Sequence, residues 1–474
     1  MKYIKQIFLM LFALISIASC SEFGDLNIDP NSATQVSPST LLSRAQYSLF
    51  NRIHGVNLNA DLGMLMVQYW AQNEYTEDSR YGFETTFFNT SWIVLYTEVL
   101  TELETSRKLV ELQDISDVIK ANQKGIIDVM KVYTFMILTD GFGDVPYSQT
   151  INTEYSLPAY DSQESIYNGM LSTLSSAASS FTESSPSFSS GELIYNGDIA
   201  KWKKFTNSLI LRLAMRIADA DETTAAQYIS AASNNLISTN DDDALFVFDS
   251  TPDRSNPLWQ NVVQNSRDDY CVSEYLVNTL NSKNDPRLEK FAKESAGGGI
   301  VGMPYGLNDN DATLLKPTTS RPNDNVRAAT SPSSIISNAE VKFLLAEAYQ
   351  RNFLTGNAAE AYADAIEASM NYWGITDQNT IDAYITAQAY DATNWKQSIG
   401  EQKWIALYMS GYEAWAEWRR LDYPILTVPS AALTTSIPTK LPYPNSEISN
   451  NSTELGKVTS SPESITTKVW WDKN

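Results

Sequence analysis

Apolar residues recur along much of the chain at the three- and four-residue spacing of a helix face. One run lies between Ile126 and Leu138, a ladder of four-residue steps extends from Phe205 to Ile217, and a tryptophan-rich run begins at Trp404. Side chains spaced in this way share one side of a helix, so the pattern predicts amphipathic helices around a common core. We expect Gly141 to end the first of these helices in a left-handed cap. The predicted fold class is mainly α.

One stretch has the spacing of a tetratricopeptide helix pair. Small residues at set positions allow two antiparallel helices to approach, and aromatic rings fill the groove between them. The positions usually held by Trp and Pro are Lys342 and Met370, and no clean period of about 34 residues occurs elsewhere. We therefore expect tetratricopeptide-like helix pairs embedded in a larger scaffold. The matching residues are Leu345, Ala346, Tyr349, Ala358, Tyr362 and Ala365.

Between about residues 240 and 334 the helical pattern gives way to clusters of Asn, Asp, Gly and Pro. Only short stretches near residues 272–280 and 286–293 have a helical pattern. Long loops on a rigid scaffold are where binding usually resides. We therefore predict one body over residues 41–474. It comprises a helical scaffold (about 41–239 and 335–423), a long irregular loop-rich insertion (about 240–334) and an irregular tail (424–474).

The first twenty residues have the pattern of an export signal. Lys2 and Lys5 precede an apolar run over residues 7–17, which is too short to cross a bilayer as a helix. Small residues then precede Cys20, an arrangement that resembles a bacterial lipobox. An ordinary signal peptide with a coincidental cysteine is the alternative. We predict a lipoprotein signal peptide over residues 1–19, lipidation at Cys20, and a leader over residues 20–40 that tethers the body to a membrane.

Charge and composition exclude several classes of protein. The chain has 56 acidic against 34 basic residues, a net charge of −22, which disfavours binding to nucleic acid. One His and two Cys leave little room for a metal cage of imidazoles or thiolates, or for a disulfide framework. We predict no cofactor. Calcium is the one metal left open, because Asp309 and Asp311 stand beside two asparagines.

The sequence lacks the common hydrolytic motifs. It contains no G-x-S-x-G elbow, no H-E-x-x-H pair and no Walker-type glycine loop. The sole imidazole, His54, is expected at the surface or at a helix end. Paired carboxylates for glycoside hydrolysis stay open, because sequence does not show their separation in space. We predict no catalytic residues and no enzyme.

Aromatic residues in polar, non-periodic sequence are the candidate binding residues. An exposed ring with amide and carboxylate neighbours suits a sugar, whose C–H face stacks while its hydroxyls form hydrogen bonds, and it also suits a peptide. The alternative is that these rings fasten loops to the helical body. The predicted ligand-binding residues are Trp70, Tyr75, Tyr81, Phe83, Trp259, Tyr270 and Tyr305.

Eight segments, taken in order, resemble the SusD/RagB family of outer-membrane nutrient-binding lipoproteins, and specifically its SusD-like branch. They cover nearly the whole mature chain. The segments are residues 27–31 (NIDPN), 140–147 (DGFGDVPY), 201–216 (KWKKFTNSLILRLAMR), 284–288 (NDPRL), 337–348 (SNAEVKFLLAEA), 402–407 (QKWIAL), 413–420 (EAWAEWRR) and 437–444 (IPTKLPYP). These motif residues read as scaffold, with Arg419 and Arg420 pairing with Glu413 and Glu417 within one helix.

The resemblance implies a helical fold that cradles an irregular ligand-binding region. It further implies a lipoprotein at the cell surface, anchored in the outer membrane, that caps a SusC-like TonB-dependent transporter. Such a protein would capture oligosaccharide, or in some relatives peptide, and release it into the transporter. No motif assigns a sugar-binding residue by position.

Three hypotheses therefore stand. The first is a binding lipoprotein that delivers its ligand to a transporter. The second is a surface glycan hydrolase that uses paired carboxylates, and the third is a lid with a purely structural role.

Overall fold

The described residues, 36–152 and 154–474 of this computed structural model, are mainly helical, as predicted. The predicted signal peptide, Cys20 and most of the predicted leader lie outside the described residues. The longer helices are α1 (Pro38–Ile53), α2 (Thr101–Leu112), α3 (Asp117–Phe142), α4 (Gln163–Ser180), α5 (Ile199–Arg216), α6 (Glu222–Ala232), α7 (Glu274–Ser282), α8 (Asn338–Gln350), α9 (Ala358–Tyr372), α10 (Gln378–Ala387), α11 (Trp395–Ala406) and α12 (Gly411–Leu421).

Shorter helical segments and strands connect these helices. The short α-helices are Met64–Met66, Asn89–Ile93, Pro257–Trp259, Leu288–Phe291, Asp309–Leu315, Asn445–Asn450 and Ser452–Val458. Wider π-helical turns occupy Val56–Gly63, Val94–Leu100 and Gln260–Gln264, and 3₁₀ turns occupy Asp78–Arg80, Asn240–Asp242, Pro252–Arg254, Lys316–Thr318 and Asp324–Arg327. The strands are β1 (Trp70–Gln72), β2 (Val145–Pro146), β3 (Tyr160–Asp161), β4 (Ala244–Phe246), β5 (Tyr270–Val272) and β6 (Ser333–Ile336).

The scaffold is built from helices that pack on their sequence neighbours. Helix α3 packs between α2 and α4, α5 packs between α4 and α6, and α8 packs on α9 and α11. The α8–α9 pair is the predicted tetratricopeptide-like unit. Between these two helices, Gly356 lies against the ring of Tyr349, where even a Cβ would be only 2.4 Å from a ring carbon. A small residue is therefore required at this position.

The strands form three short antiparallel pairs. Strand β1 pairs with β5, with Trp70 opposite Val272, and β2 pairs with β3. Strand β4 pairs with β6, with Ala244 opposite Ile336. Because β4 and β6 lie at the two ends of the predicted insertion, this pair brings the ends of the insertion together on the scaffold. No helix in the described part of the chain combines the length and apolar character that a membrane crossing needs.

Two local expectations differ from the structure. Helix α3 continues through Gly141 to Phe142, and Gly143, at φ +83°, is the residue that ends it. The Tyr412 hydroxyl approaches the helix at Gly141, and a Cβ at this position would clash with it. The first helix begins at Pro38, inside the predicted leader, and the tail contains two short helices rather than only irregular structure.

A network of buried charges lies where α3, α5, α8, α11 and α12 meet. Arg212 binds Glu340 in a bidentate pair at 2.6 and 2.7 Å, and Arg420 binds Glu347 through two contacts of 2.6 Å. Arg216, fully buried, contacts Asp140 at 2.6 Å and also Glu413. Buried charges persist only when they are paired, so each of these contacts constrains the helices that carry it.

Glu417 lies at the centre of this network. Its carboxylate contacts Lys403 and Arg420 at 2.7 Å each, and Arg216 at 3.3 Å. Burial alone would raise the pKa of Glu417, but these three cations hold it well below its usual value. The carboxylate therefore stays ionised in the core.

Arg419 does not form the ion pair predicted within α12. Its guanidinium lies 3.6 Å from the ring centroid of Trp415 and 4.7 Å from that of Trp471. It donates to the carbonyl oxygens of Asp140 and Thr439 instead of to a carboxylate. Burial lowers the pKa of Arg419 to about 10, which still leaves it charged at neutral pH.

The network predicts a large loss of folding stability when one of its cations is removed. Arg420→Met should lower the free energy of unfolding by about 3–5 kcal/mol, because Glu347 and Glu417 then remain buried without a shared partner. Urea denaturation measures this change. In the matched control Lys342→Met, the lost pair with Asp364 is partly exposed, so the cost should stay below about 1 kcal/mol. Equal costs for the two variants would show that the network does not hold the helices together.

Candidate ligand-binding platform around Tyr75

The structure separates the seven predicted binding residues by exposure. Trp70, Tyr81 and Tyr270 are buried, and Phe83, Trp259 and Tyr305 are half-buried. Tyr75 alone of the seven is exposed, at 64% of its surface. The expectation of an open ring therefore fails at the three buried positions, and Tyr75 is the residue around which a site can be built.

Trp70 and Tyr270 support this region from inside. They lie on the paired strands β1 and β5 with ring centroids 5.4 Å apart. The indole of Trp70 donates to the Tyr408 hydroxyl at 2.9 Å. Both strands are covered on both faces, so their side chains pack in the core rather than meet a ligand.

Tyr81, Phe83 and Tyr305 fasten loops to the body. The rings of Tyr81 and Tyr305 lie 6.1 Å apart, and the Tyr305 hydroxyl donates to the carbonyl of Leu65 at 2.7 Å. Phe83 packs against Phe87 and Phe88. These contacts match the alternative role given above for aromatic residues in polar sequence.

Tyr75 presents its ring beside a fixed cation. Its backbone is in the left-handed region at φ +54°, three residues after the end of β1, and its side chain is exposed. The guanidinium of Arg267 lies over the ring, 4.8 Å from its centroid, and the Arg267 Nε donates to Asp269 at 2.7 Å. Arg267 covers one face of the ring, so the remaining exposed surface is available for stacking.

Buried polar groups accompany strands β1 and β5. Gln72 donates to Asp78 at 2.9 Å, and the Tyr270 hydroxyl donates to Asp61. Burial, reinforced by the charge of Asp78, raises the pKa of Asp61 to about 7. Burial also raises the pKa of Asp78 to about 6. Both carboxyls are therefore hydrogen-bond partners of the strands beneath this surface.

An amide-rich cleft of about 460 Å³ lies between the insertion and the scaffold. Tyr372 and Trp373 line it together with five asparagines, Asn59, Asn240, Asn256, Asn325 and Asn371. Two of its buried donors or acceptors, Trp373 Nε1 and His54 Nε2, have no hydrogen-bond partner among the described residues. Such groups are available to a polar ligand or to water.

His54 lies at the end of α1 but is buried, so the surface alternative given for it is wrong. Burial lowers its pKa to about 4, and the imidazole is therefore neutral at physiological pH.

The acidic segment proposed for calcium has a structural use. Asn308 caps the Asp309–Leu315 helix by accepting from the Asp311 amide at 3.1 Å, and Asp309 accepts from the Thr76 amide at 2.8 Å. Within residues 36–152 and 154–474, no three His, Cys, Asp or Glu side chains are placed to hold a metal ion together.

Asp61 predicts a distinct pH dependence of stability. With its pKa raised to about 7, the folded protein holds a proton that the unfolded chain releases above about pH 4. The stability due to this proton is present at low pH and is lost as the pH rises through 7. Asp61→Asn removes the buried charge but keeps an acceptor for Tyr270. It should raise Tm by about 2 °C or more at pH 8 and by less than half as much at pH 5.

Thermal unfolding at the two pH values measures this difference, and the exposed Asp114→Asn serves as the matched control. An equal gain at both pH values would show that burial of the charge is not its cause.

Comparisons with known proteins agree with this architecture. The sequence profile of the SusD-like_2 family, described as starch-binding and associating with the outer membrane, matches residues 30–444. A solved structure described as a chitin-binding protein is 29% identical with a TM-score of 0.83, covering 92% of this chain and 100% of that one. A SusD homolog from Bacteroides uniformis is 26% identical with a TM-score of 0.82, covering 92% and 99%.

A chitin-binding SusD homolog from Flavobacterium johnsoniae shares the fold at 23% identity and a TM-score of 0.77, covering 91% of this chain and 99% of its own. No significant match is found among curated proteins. Because the family profile spans most of the sequence, the chain belongs to the SusD-like family.

Proposed function

We propose that this protein is a cell-surface binding protein that captures oligosaccharide at the Tyr75 platform and delivers it to a SusC-like TonB-dependent transporter. The observation that carries the proposal is the exposed Tyr75 ring, held beside Arg267, which in turn binds Asp269. The family description as starch-binding and the two chitin-binding neighbours support a saccharide as the ligand.

Capture at this platform combines two weak interactions. The C–H face of a sugar ring packs on Tyr75, while its hydroxyls accept hydrogen bonds from Arg267. One stacked ring provides only modest binding energy, so a ligand of several sugar units, with contacts beyond Tyr75, fits this surface better than a monosaccharide.

Delivery requires a partner and an anchor. A binding protein tethered at the membrane contributes to uptake only if its ligand then crosses that membrane, and the transporter would provide this passage. The lipid on Cys20, predicted from the sequence, would hold the protein at the outer surface of the outer membrane.

The platform predicts a binding defect without loss of stability. Tyr75→Ala should weaken binding of chitohexaose or maltohexaose, measured by titration calorimetry, by about tenfold or more, since about 1.4 kcal/mol corresponds to a factor of ten. Its Tm should stay unchanged because the ring is exposed. Tyr155→Ala removes another exposed tyrosine, on the scaffold, and should leave binding intact.

Trp70→Ala separates support from contact. Removing this buried ring should lower the free energy of unfolding by about 3–5 kcal/mol. The affinity of the protein that remains folded should stay unchanged. Full affinity in Tyr75→Ala, or tighter binding of a peptide panel than of the glycans, would contradict saccharide capture at this platform.

The rival function is glycan hydrolysis, and the raised pKa values of Asp61 and Asp78 are the observation that favours it. Prolonged incubation of the purified protein with chitohexaose and maltohexaose should leave both intact. Shortened products that disappear in Asp61→Asn would establish the hydrolase instead.

The anchor has its own test. Cys20→Ser should move the protein from the membrane fraction to the soluble fraction, because the lipid is attached through the cysteine. Detergent extraction of the unaltered protein should recover a large β-barrel partner with it. Membrane retention of Cys20→Ser would show that another segment provides the attachment.

A further inference from the structure

A basic cleft lies beside the Tyr75 platform. Its volume is about 610 Å³, and loops of the insertion around residues 262–268, 293–296 and 316–327 form its walls. Five cationic side chains line it together with three acidic ones, and two further carboxylates, Asp269 and Glu74, pair with cations of the cleft. The cations are Arg267, Lys293, Lys316, Arg321 and Arg327. This density of cations gives the cleft several N–H donors that suit an anion.

Arg327 is the least satisfied of these cations. Its side chain is only 9% exposed, and its one ion pair is with Asp324 at 2.9 Å. Its Nε has no hydrogen-bond acceptor among the residues that the structure describes. A buried N–H without an acceptor is unfavourable, and an oxygen of an entering anion would satisfy it.

The partner of Arg327 is easily displaced. Asp324 is 74% exposed and is shared between Arg327 and Lys293, whose Nζ lies 2.7 Å from the same oxygen. Exposed ion pairs of this kind contribute little stability, so a ligand anion can replace or join Asp324 at small cost. Both cations then face the ligand.

Arg321 has a different role. Its Nε and Nη2 bind Asp268 at 2.6 and 2.8 Å, and its Nη1 donates to the carbonyls of Lys316 and Thr319. Arg321 therefore links the 262–268 and 316–327 loops, and its donors are already used within the wall of the cleft.

The cleft is continuous with the Tyr75 platform. Arg267 lines the cleft and also covers one face of the Tyr75 ring. Lys316, which also lines the cleft, binds Glu74 at 2.9 Å, and Glu74 immediately precedes Tyr75 in the chain. A saccharide stacked on Tyr75 can therefore extend its next units along Arg267 into the cleft.

We propose that this cleft is a subsite for an acidic sugar residue, carrying a carboxylate or a sulfate, of the oligosaccharide captured at Tyr75. The inference rests on the proposed function, and it adds a preference for anionic over neutral glycans. Guanidinium groups bind carboxylate and sulfate oxygens through paired N–H donors, which suits both anions. The stacking ring next to the cleft favours a glycan over an acidic peptide.

The test compares four ligands by titration calorimetry: a chondroitin sulfate hexasaccharide, the unsulfated chondroitin hexasaccharide, chitohexaose and a hexaglutamate peptide. At least one acidic hexasaccharide should bind ten times or more tighter than chitohexaose, and the advantage should shrink as salt rises. The sulfated and unsulfated forms distinguish a sulfate from a carboxylate subsite. Equal affinity for acidic and neutral hexasaccharides, or tightest binding of hexaglutamate, would overturn the proposal.

Variants locate the effect in the cleft. Arg327→Gln should reduce the affinity for the preferred acidic hexasaccharide about tenfold or more while changing that for chitohexaose less than twofold. Lys293→Gln, 41% exposed and safe for folding, should act in the same direction more weakly. Lys342→Gln, on scaffold helix α8, removes a lysine that pairs with Asp364 and does not line the cleft, so it should change neither affinity. Acidic-ligand binding unaltered in both cleft variants would overturn the subsite.

The two proposals fail in different ways. Chitohexaose binding that depends on Tyr75, without any advantage for the acidic ligands, would remove only the acidic subsite. Absence of binding to all three hexasaccharides would remove the proposed function and the subsite together.

Discussion

The buried pairing of arginines with carboxylates is the constraint on which this structure depends. Five helices contribute charges to one network, and a charge left alone in that interior would be very unfavourable, so the helices can meet in few arrangements. Arg212 extends the network outward by donating to the carbonyl of Ile335 at 2.7 Å. Ile335 belongs to β6, which pairs with β4 and thereby closes the base of the insertion. The loops that form the clefts are thus tied directly to the most rigid part of the core.

Among the predicted binding aromatics of the insertion and of the segment after α1, the buried and half-buried rings are supports, and one ring, Tyr75, is exposed. Strands β1 and β5 bury Trp70 and Tyr270, and the chain emerging from these strands carries Tyr75 and Arg267 to the surface. A ring held on a rigid support loses little conformational freedom when a ligand stacks on it, which improves affinity without more contact area. The 3₁₀ turn Asp324–Arg327 has a similar double use, because its residues line both the amide-rich cleft and the basic cleft.

Helical periodicity was sufficient to predict the scaffold, including the α8–α9 pair, because long amphipathic helices leave a repeated signal. The same approach could not identify the exposed ring. Strands β1 and β5 are only three residues long and buried on both faces, so Trp70 and Tyr270 show no alternation that would mark them as core. The contact of Arg267 with Tyr75 joins positions far apart in sequence, and the cations of the basic cleft come together only when three loops meet. The polar stripe of Glu413, Glu417 and Arg420, at helical spacing within an otherwise apolar α12, was the available signal for the buried network.

The position of Trp471 has a consequence for the order of folding. Its fully buried indole donates to Asp140 at 2.9 Å and forms one side of the aromatic sandwich around Arg419. During synthesis, α3 and α12 are complete before Trp471 is added. Until then, Asp140 and Arg419 lack their contacts with this indole. Consolidation of this part of the core therefore waits for the segment that carries Trp471.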